Sequence, residues 1–157
     1  MENNHEKYMK VAIQEARKAS RVEEVPVGCV IVVNDKIIAK AHNKRHTKKC
    51  SIYHAEILAI EKACKKLKRW ILDDATIYVT LEPCLMCSGA IIQSRMKKLV
   101  YGIAQPKHGC VESNMKLFQE GLFNHTVQVE SGLCSEEIEN IIKTFFQKLR
   151  EKKKNSK

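Results

Sequence analysis

Residues 75–87 read ATIYVTLEPCLMC and place a strand directly before the start of a helix. The first part, Ala75–Leu81, is mostly β-branched or aromatic, a composition that favours a β-strand. Pro83 then stands where proline is common, in the first turn of a helix, and apolar residues recur after it at helical spacing. The stretch therefore predicts a strand–helix unit with Cys84 and Cys87 at the start of the helix.

Further strands and helices are predicted on both sides of this unit. Val25–Val33 and Ile37–Ala41 form a predicted hairpin, because both runs are rich in β-branched residues and flank a turn at Asn34 and Asp35. The spacing of apolar residues predicts the helices, and Ser135 is the expected N-cap of the last one. Such alternation predicts an α/β sheet covered by helices on both faces. The predicted helices are Glu6–Ser20, Ala55–Leu67, Pro83–Ile92 and Ser135–Lys152, and the remaining strands are Lys98–Ile103 and an edge strand at Thr126–Val129.

Length and composition are those of a soluble globular protein. The chain has 157 residues, of which 44% are hydrophobic and 29% are charged. A chain of this size is expected to bury about two thirds of the surface that its unfolded form exposes, around one core. We therefore expect a single domain over residues 1–157, with a basic tail that frays from about residue 151.

Neither a membrane segment nor a secretion signal is apparent. The longest strongly apolar run, Val27–Val33, is much shorter than the ~20 residues that cross a bilayer, and Met1–His5 lacks the features of a signal peptide. We expect a cytoplasmic protein without a membrane partner. The seven cysteines are an odd number in such a chain, which favours reduced thiols, some of them holding metal, over a disulfide framework.

The net charge of +10 is large for this length and has two interpretations. A field of that sign raises the local concentration of polyanions such as nucleic acid. Alternatively, the basic end of the last helix, Lys148–Lys154, is a solvated surface that keeps the protein soluble. Charge alone favours contact with nucleic acid and leaves the second interpretation open.

Four residues at two predicted helix starts carry the candidate chemistry. Cys84 and Cys87 are three residues apart, so both sulfurs lie on one face of a helix, near its N-terminus. With His54 they supply three ligands for about one zinc ion per chain, and a catalytic zinc keeps its fourth position for water. Glu56, two residues from His54, is placed to transfer protons. The pattern H-x-E followed by P-C-x-x-C is the signature of zinc-dependent nucleobase deaminases.

A closed structural zinc site is the alternative. Such a site needs a fourth protein ligand and would leave Glu56 without a role. The candidates for that ligand in nearby loops are Cys50, Cys110 and His46. The other cysteines lie on apolar segments and are interpreted as small core residues: Cys29, Cys64 and Cys134.

Beyond these four residues, the chain resembles the tRNA-specific adenosine deaminases of bacteria along nearly its whole length. This family belongs to the cytidine deaminase superfamily. The stretches that carry the resemblance are Glu24–Gly28, Asn43, His54–Glu56, Tyr78–Cys87, Ser94–Arg95, Val100–Gly102, Pro106–Lys107, Asn124–His125 and Phe145–Phe146. The resemblance implies a three-layer α/β/α fold of the cytidine deaminase type with a mixed five-stranded sheet. It also implies a homodimer that converts adenosine to inosine at the wobble position of a tRNA anticodon.

The resemblance also assigns substrate contacts by position. Asn43 is expected to hydrogen-bond the extruded base, and Pro26 and Val27 to form a wall of the base pocket. Three residues of the last helix are expected to contact nucleotides that flank the target in the anticodon loop, although core packing is the alternative for one of the two phenylalanines. They are Phe145, Phe146 and Arg150.

The chain departs from the family pattern at two places near the expected site. Tyr53 adds bulk beside a ligand where the family usually has a small residue, and Ala104-Gln105 stands where an acidic residue is common. These departures leave the choice of substrate less defined than the chemistry. The alternative function is a small-molecule deaminase of the same superfamily that acts on free guanine or a cytosine nucleoside. The basic charge and the aromatic residues of the last helix favour RNA over that alternative.

Overall fold

A five-stranded sheet lies between two pairs of helices in the computed structural model, which describes residues 2–156. The helices are α1 Glu2–Arg21, α2 Ala55–Leu67, α3 Leu85–Gln93 and α4 Ser135–Asn155. The strands are β1 Gly28–Val33, β2 Lys36–His42, β3 Ala75–Leu81, β4 Lys98–Ile103 and β5 Gln128–Ser131. All the predicted helices and strands are present, and α2, β3 and β4 have the predicted bounds, whereas β1 begins three residues later than predicted and α3 begins two residues after Pro83.

The sheet is mixed, as expected, with the strand order β2-β1-β3-β4-β5. Strand β1 is antiparallel to β2 and β3, whereas β3, β4 and β5 are parallel. The carboxyl ends of β2, β3 and β4 therefore meet the amino end of β1 at one edge of the sheet. Loops that leave those strands are brought together at this edge, which we call the upper edge.

Both faces of the sheet are covered, which makes the fold a three-layer α/β/α structure. All six residues of β1 are buried. Ile31 packs in a core with residues of α2 and α3 on one face, and Val30 and Val32 pack with residues of α1 and α4 on the other. The alternation of side chains along a strand explains how one apolar run serves both cores.

Gly28 lets α1 approach the sheet closely. A Cβ atom at this position would lie 1.8 Å from the carbonyl oxygen of Ala12 and 2.6 Å from the amide nitrogen of Ala16. Both atoms are helix backbone, so no side chain can move aside to make room. The spacing between α1 and β1 therefore requires glycine.

One prediction for α4 needs correction. Cys134, and not Ser135, is the N-cap; it has a left-handed backbone with φ 57° and ψ 29°, and its carbonyl oxygen accepts from the Ile138 amide at 3.2 Å. The helix continues to Asn155, beyond its predicted end at Lys152. No proline or glycine interrupts this end, and Lys152 pairs with Glu23, which ties the last turns to the rest of the protein.

The edge strand β5 is displaced from its predicted place by two residues, because its pairing with β4 begins at Gln128 opposite Lys98. Val127, which was expected in the strand, is buried in the core just before it. Among the helices of residues 2–156, none has both the length and the apolar composition that a membrane span requires.

Candidate active site

His54 and Cys84 occupy matching positions at the starts of two neighbouring helices. Each is an N-cap residue with an extended backbone, His54 for α2 and Cys84 for α3, and neither side chain caps its helix. Both side chains are thus available for other partners. Because α2 and α3 pack against each other, their N-termini lie together at the upper edge of the sheet.

The structure brings His54, Cys84 and Cys87 into one group. The Nδ1 atom of His54 lies 3.6 Å from the Sγ atom of each cysteine. The ligand atoms of all three residues are within 4.8 Å of one another. Cys87 reaches this point because it lies in the first turn of α3, on the same face as Cys84. Residues that are 30 and 33 positions from His54 in sequence are therefore neighbours in space.

The donor set of this group fits a metal ion. Two thiolate sulfurs and one imidazole nitrogen are ligands that zinc prefers. Within residues 2–156, no second group of three such side chains is close enough to hold an ion. A closed structural site would need a fourth protein ligand. Its three candidates are Cys50, Cys110 and His46, and none of them belongs to the group. Three protein ligands leave a position for water or substrate, which is the arrangement of a catalytic site.

The protonation of the two thiols supports the same interpretation. A hydrogen bond with the Cys87 thiol lowers the pKa of Cys84 to about 4. The same bond, together with burial, raises the pKa of Cys87. The hydrogen bond with Cys84 also raises the pKa of His54. The lowered pKa of Cys84 favours its thiolate, the form in which a cysteine binds a metal ion.

Glu56 lies beside this group in the first turn of α2. It is 3% exposed, and it lines the same cavity as His54 and Cys84. Burial raises the pKa of Glu56 to about 7, and the negative charge of Cys84 adds to the rise. A carboxyl group with this pKa exchanges protons readily near neutral pH.

A cavity of about 380 Å³ opens onto these residues, and its lining includes His54, Glu56 and Cys84. This volume lies in the range of small-ligand sites. Asn43 also lines the cavity and is 7% exposed. Its Oδ1 atom accepts from the Arg45 amide at 3.2 Å, and its Nδ2 atom donates to the Val25 carbonyl at 3.4 Å. These bonds fix the amide and leave one N–H donor and one lone pair for a ligand.

The other predicted substrate contacts divide between cavity, core and surface. Val27 and Phe146 line the cavity. Pro26 is buried and is absent from the lining, whereas its neighbour Val25 is part of it. Phe145 is only 8% exposed, in edge-to-face contact with Phe146 at 5.2 Å. This burial is what the packing alternative expects for Phe145.

Arg150 is exposed, one turn beyond Phe146, and is not part of the lining. Of the two departures from the family pattern, Gln105 lines the cavity and Tyr53 does not. The residues of the lining that the sequence did not suggest are Val25, Arg45, Ala55, Leu81, Glu82 and His108. Most of them lie outside regular elements, where periodicity gives no signal. Their proximity in sequence to Pro26, Asn43, Cys84 or Gln105 is the available indication.

Fold and site together define a deaminase of the cytidine deaminase type, with a His-Cys-Cys metal group and a buried glutamate at one cavity. Residues 3–150 match the family model described as MafB19-like deaminase. The tRNA-specific adenosine deaminase of Bacillus subtilis (strain 168) is 53% identical over 149 residues, which cover 95% of this chain and 92% of the relative. The chain therefore belongs to the family of tRNA-specific adenosine deaminases.

Solved structures agree with this assignment. A structure from a study of A-to-I editing by tRNA:A34 deaminases has a TM-score of 0.82 and 40% identity, covering 85% of this chain and 97% of that chain. The guanine deaminase of Bacillus subtilis is less similar, with a TM-score of 0.62 and 32% identity over 73% of this chain and 84% of that chain. The same fold thus also occurs in a protein that is named for a free base.

Proposed function

We propose that the chain catalyses the hydrolytic deamination of adenosine to inosine at the wobble position of a tRNA anticodon, with release of ammonia. The observation that carries the proposal is the convergence of His54, Cys84, Cys87 and Glu56 at one cavity. The relatives supply the substrate, because two that are 53% and 43% identical to this chain are named tRNA-specific adenosine deaminase.

Zinc is the proposed ion, about one per chain, held by His54, Cys84 and Cys87. When bound at such a group, zinc lowers the pKa of a water molecule and so supplies a nucleophile near neutral pH. Glu56 accepts a proton from the attacking water and delivers one to the departing amine. Its place in the first turn of α2, two residues from His54, holds the carboxylate beside the reacting atoms without making it a ligand.

The target base is proposed to enter the cavity in an extruded conformation. Bases of a single-stranded loop are extruded at lower cost than bases of a duplex, which suits an anticodon loop. The remaining donor and acceptor of the Asn43 amide contact the polar edge of the base, and Val27 packs against its face. Pro26, which is buried behind the lining, supports this wall and does not touch the base.

The rest of the tRNA loop is proposed to cross the exposed side of α4. Phe146 is 38% exposed at the rim of the cavity and offers a surface on which a neighbouring base can stack. Arg150 and Lys148 are exposed on the same helix and are available to phosphates. Phe145 acts indirectly in this scheme, by packing against the ring of Phe146.

A homodimer is proposed to form through the outer side of α3. This helix, Leu85–Gln93, contains no charged residue, although part of it faces outward: Leu85 is 58% exposed, and a Cβ atom at Gly89 would meet nothing within 4 Å. A helix that is apolar all round is normally buried. A second copy of the chain that covers the outer side of α3 would bury this side. The interface would then lie close to the metal group.

The remaining proposals concern organisation and location. The chain forms one domain, because α1 and α4 from its two ends pack on the same face of the sheet. We propose a cytoplasmic location because the proposed substrate is tRNA.

The test is to incubate the purified protein with total tRNA, with an anticodon stem-loop and with free nucleosides and bases, and to measure inosine. Inosine is expected in tRNA and in the stem-loop. Deamination of free guanine or cytidine without any activity on tRNA would favour the small-molecule alternative. That alternative is considered because a guanine deaminase has the same fold.

A further inference from the structure

Glu24 and Glu82 are buried carboxylates to which the proposed chemistry gives no role. Their side chains are 0% and 2% exposed. Neither belongs to the metal group. In sequence, Glu24 comes directly before Val25 of the cavity lining, and Glu82 comes two residues before Cys84. A buried charge is retained only where several donors stabilise it, so the partners of these two carboxylates indicate what they do.

Glu82 binds a single segment that follows β4. Its Oε2 atom accepts from three successive amides, those of Val111 at 3.1 Å, Glu112 at 2.9 Å and Ser113 at 3.0 Å. Its Oε1 atom accepts from the Gln105 amide at 3.0 Å and from the Ser113 hydroxyl. Five donors from residues 105–113 thus surround one carboxylate. Such charge-assisted bonds are stronger than neutral ones, so the segment is folded around Glu82.

Gly109 shows how closely this segment approaches. A Cβ atom at Gly109 would lie 2.3 Å from the Cδ atom of Glu82 and 2.4 Å from its Oε1 atom. The Gly109 amide meanwhile donates to the Gln105 carbonyl at 2.7 Å, which closes a turn over the carboxylate. Only a residue without a side chain fits between the turn and the carboxylate.

Glu24 has the same relation to the segment that follows β2. It accepts from the His46 amide at 3.1 Å, from the Thr47 amide at 2.6 Å and from the Thr47 hydroxyl at 2.7 Å. These donors belong to residues 43–50, which also include Asn43 and Arg45 of the cavity lining. One carboxylate therefore holds each of two segments.

The two segments lie on either side of the cavity. They follow β2 and β4, which flank β1 and β3 in the strand order, and both leave the sheet at its upper edge. One supplies Asn43 and Arg45 to the lining, and the other supplies Gln105 and His108. The width of the cavity between these residues therefore depends on how the segments are held.

We propose that Glu24 and Glu82 are positioning residues, which hold the two walls of the cavity at the separation that the substrate nucleotide requires. The inference rests on the proposed function for the identity of the substrate. Neither residue touches the reacting atoms. Glutamine at either position keeps one acceptor oxygen but presents an NH2 group in place of the other, so some of the donors lose their acceptor and the segment moves.

The expected effect is on binding and not on the chemical step. Loss of charge-assisted bonds raises KM for the anticodon stem-loop about tenfold or more in Glu82→Gln and in Glu24→Gln, with kcat changed less than about threefold. Zinc content remains that of the wild type. Glu120→Gln is the matched control, since Glu120 is an exposed carboxylate of the following loop, and its KM should not change.

A second variant separates positioning from a general loss of stability. Gly109→Ala introduces a methyl group against the Glu82 carboxylate and should raise KM in the same way. If both changes act through one contact, the double variant Glu82→Gln/Gly109→Ala has a KM close to that of the worse single variant. Its fold-increase in KM is then far below the product of the two single fold-increases.

Amide hydrogen exchange then locates the change. Glu82→Gln should accelerate exchange in residues 105–113, and Glu24→Gln in residues 43–50, while the strands stay protected. Accelerated exchange with an unchanged KM would overturn the inference, as would loss of zinc or multiplicative effects in the double variant. If the wild-type protein forms no inosine, the proposed function fails together with the inference; the other adverse outcomes refute the inference alone.

Discussion

Replacing Glu56 by glutamine keeps the size of a buried side chain and removes its ability to accept a proton. Glu56 is 3% exposed in the first turn of α2, so an isosteric change disturbs the packing least. Glutamine cannot take a proton from water or return one to the amine. The variant therefore separates proton transfer from every other property of the site.

The size of the loss depends on whether another group can take over. Glu82 is the second carboxylate in the cavity lining, and five hydrogen bonds already occupy its oxygens. No free carboxylate of the lining within residues 2–156 remains as a substitute. General acid–base catalysis contributes about 10²- to 10⁴-fold. We expect Glu56→Gln to reach the upper end, about 10⁴-fold in kcat, which corresponds to about 5 kcal/mol in the activation barrier.

The assay is single-turnover formation of inosine in an anticodon stem-loop, with zinc measured by elemental analysis and folding by thermal unfolding. Zinc content and fold should match the wild type. Glu61→Gln is the matched control, because Glu61 lies on the same helix but is exposed and paired with Lys65. Residual activity of Glu56→Gln above about a hundredth of the wild type would show that another group moves the protons, since a general acid–base contributes at least about 10²-fold.

Cys87→Ala should reduce bound zinc well below one ion per chain, because it removes one of three ligands; unchanged zinc by elemental analysis would contradict the ligand assignment. Gly28→Ala should lower the free energy of unfolding by about 3 kcal/mol or more, since the added Cβ atom meets helix backbone at 1.8 Å; a denaturant titration with an unchanged midpoint would refute this. Burial raises the pKa of Glu15, but its hydrogen bonds with Lys18 and His42 outweigh burial, so the folded pKa lies below 4.5. The carboxylate therefore stabilises the fold above that pH, and Glu15→Gln should cost about 1 kcal/mol at neutral pH. This difference should vanish as the pH falls through the folded pKa of Glu15, and an equal difference in unfolding free energy at pH 3 and pH 7 would be inconsistent with it.

Regular elements were predictable from the sequence because their signals are local. The bounds of Ala55–Leu67, Ala75–Leu81 and Lys98–Ile103 agree with the structure. Each is a continuous apolar or periodic run that ends at a polar residue or a turn. The edge strand was misplaced because its short, half-exposed sequence has little pattern, and pairing with β4 sets its register.

Caps and irregular segments were less predictable. Serine is a common N-cap, yet the chain enters α4 through a left-handed Cys134, a conformation that cysteine does not suggest. Pro26 and Val27 precede the first residue of β1, so strand alternation does not say which side chain faces the cavity. Helical spacing does separate the two phenylalanines, because Phe145 lies seven residues after the buried Ile138 and continues its stripe.

The candidate chemistry was predictable for the same reason as the helices. His54, Glu56, Cys84 and Cys87 lie at helix starts, where the turn geometry is fixed and sequence spacing translates directly into distance. The carboxylates that hold the cavity walls were not predictable from the sequence, since Glu82 binds backbone amides 23 to 31 residues away. Any residue other than proline has such an amide, so the sequence around Val111 contains no sign of the contact.

Substrate choice and chemistry depend on different parts of the chain. The metal group and Glu56 rest on α2 and α3, whereas Asn43, Gln105 and His108 lie outside the helices and strands of the sheet. Substitutions in those segments can alter the cavity without moving the reacting groups. The guanine deaminase of Bacillus subtilis has the same fold with a different named substrate, which is the outcome that such independence permits. Exchanging residues 105–113 for another sequence that keeps Gly109 and Ser113 should therefore change which nucleotide is accepted while zinc binding persists.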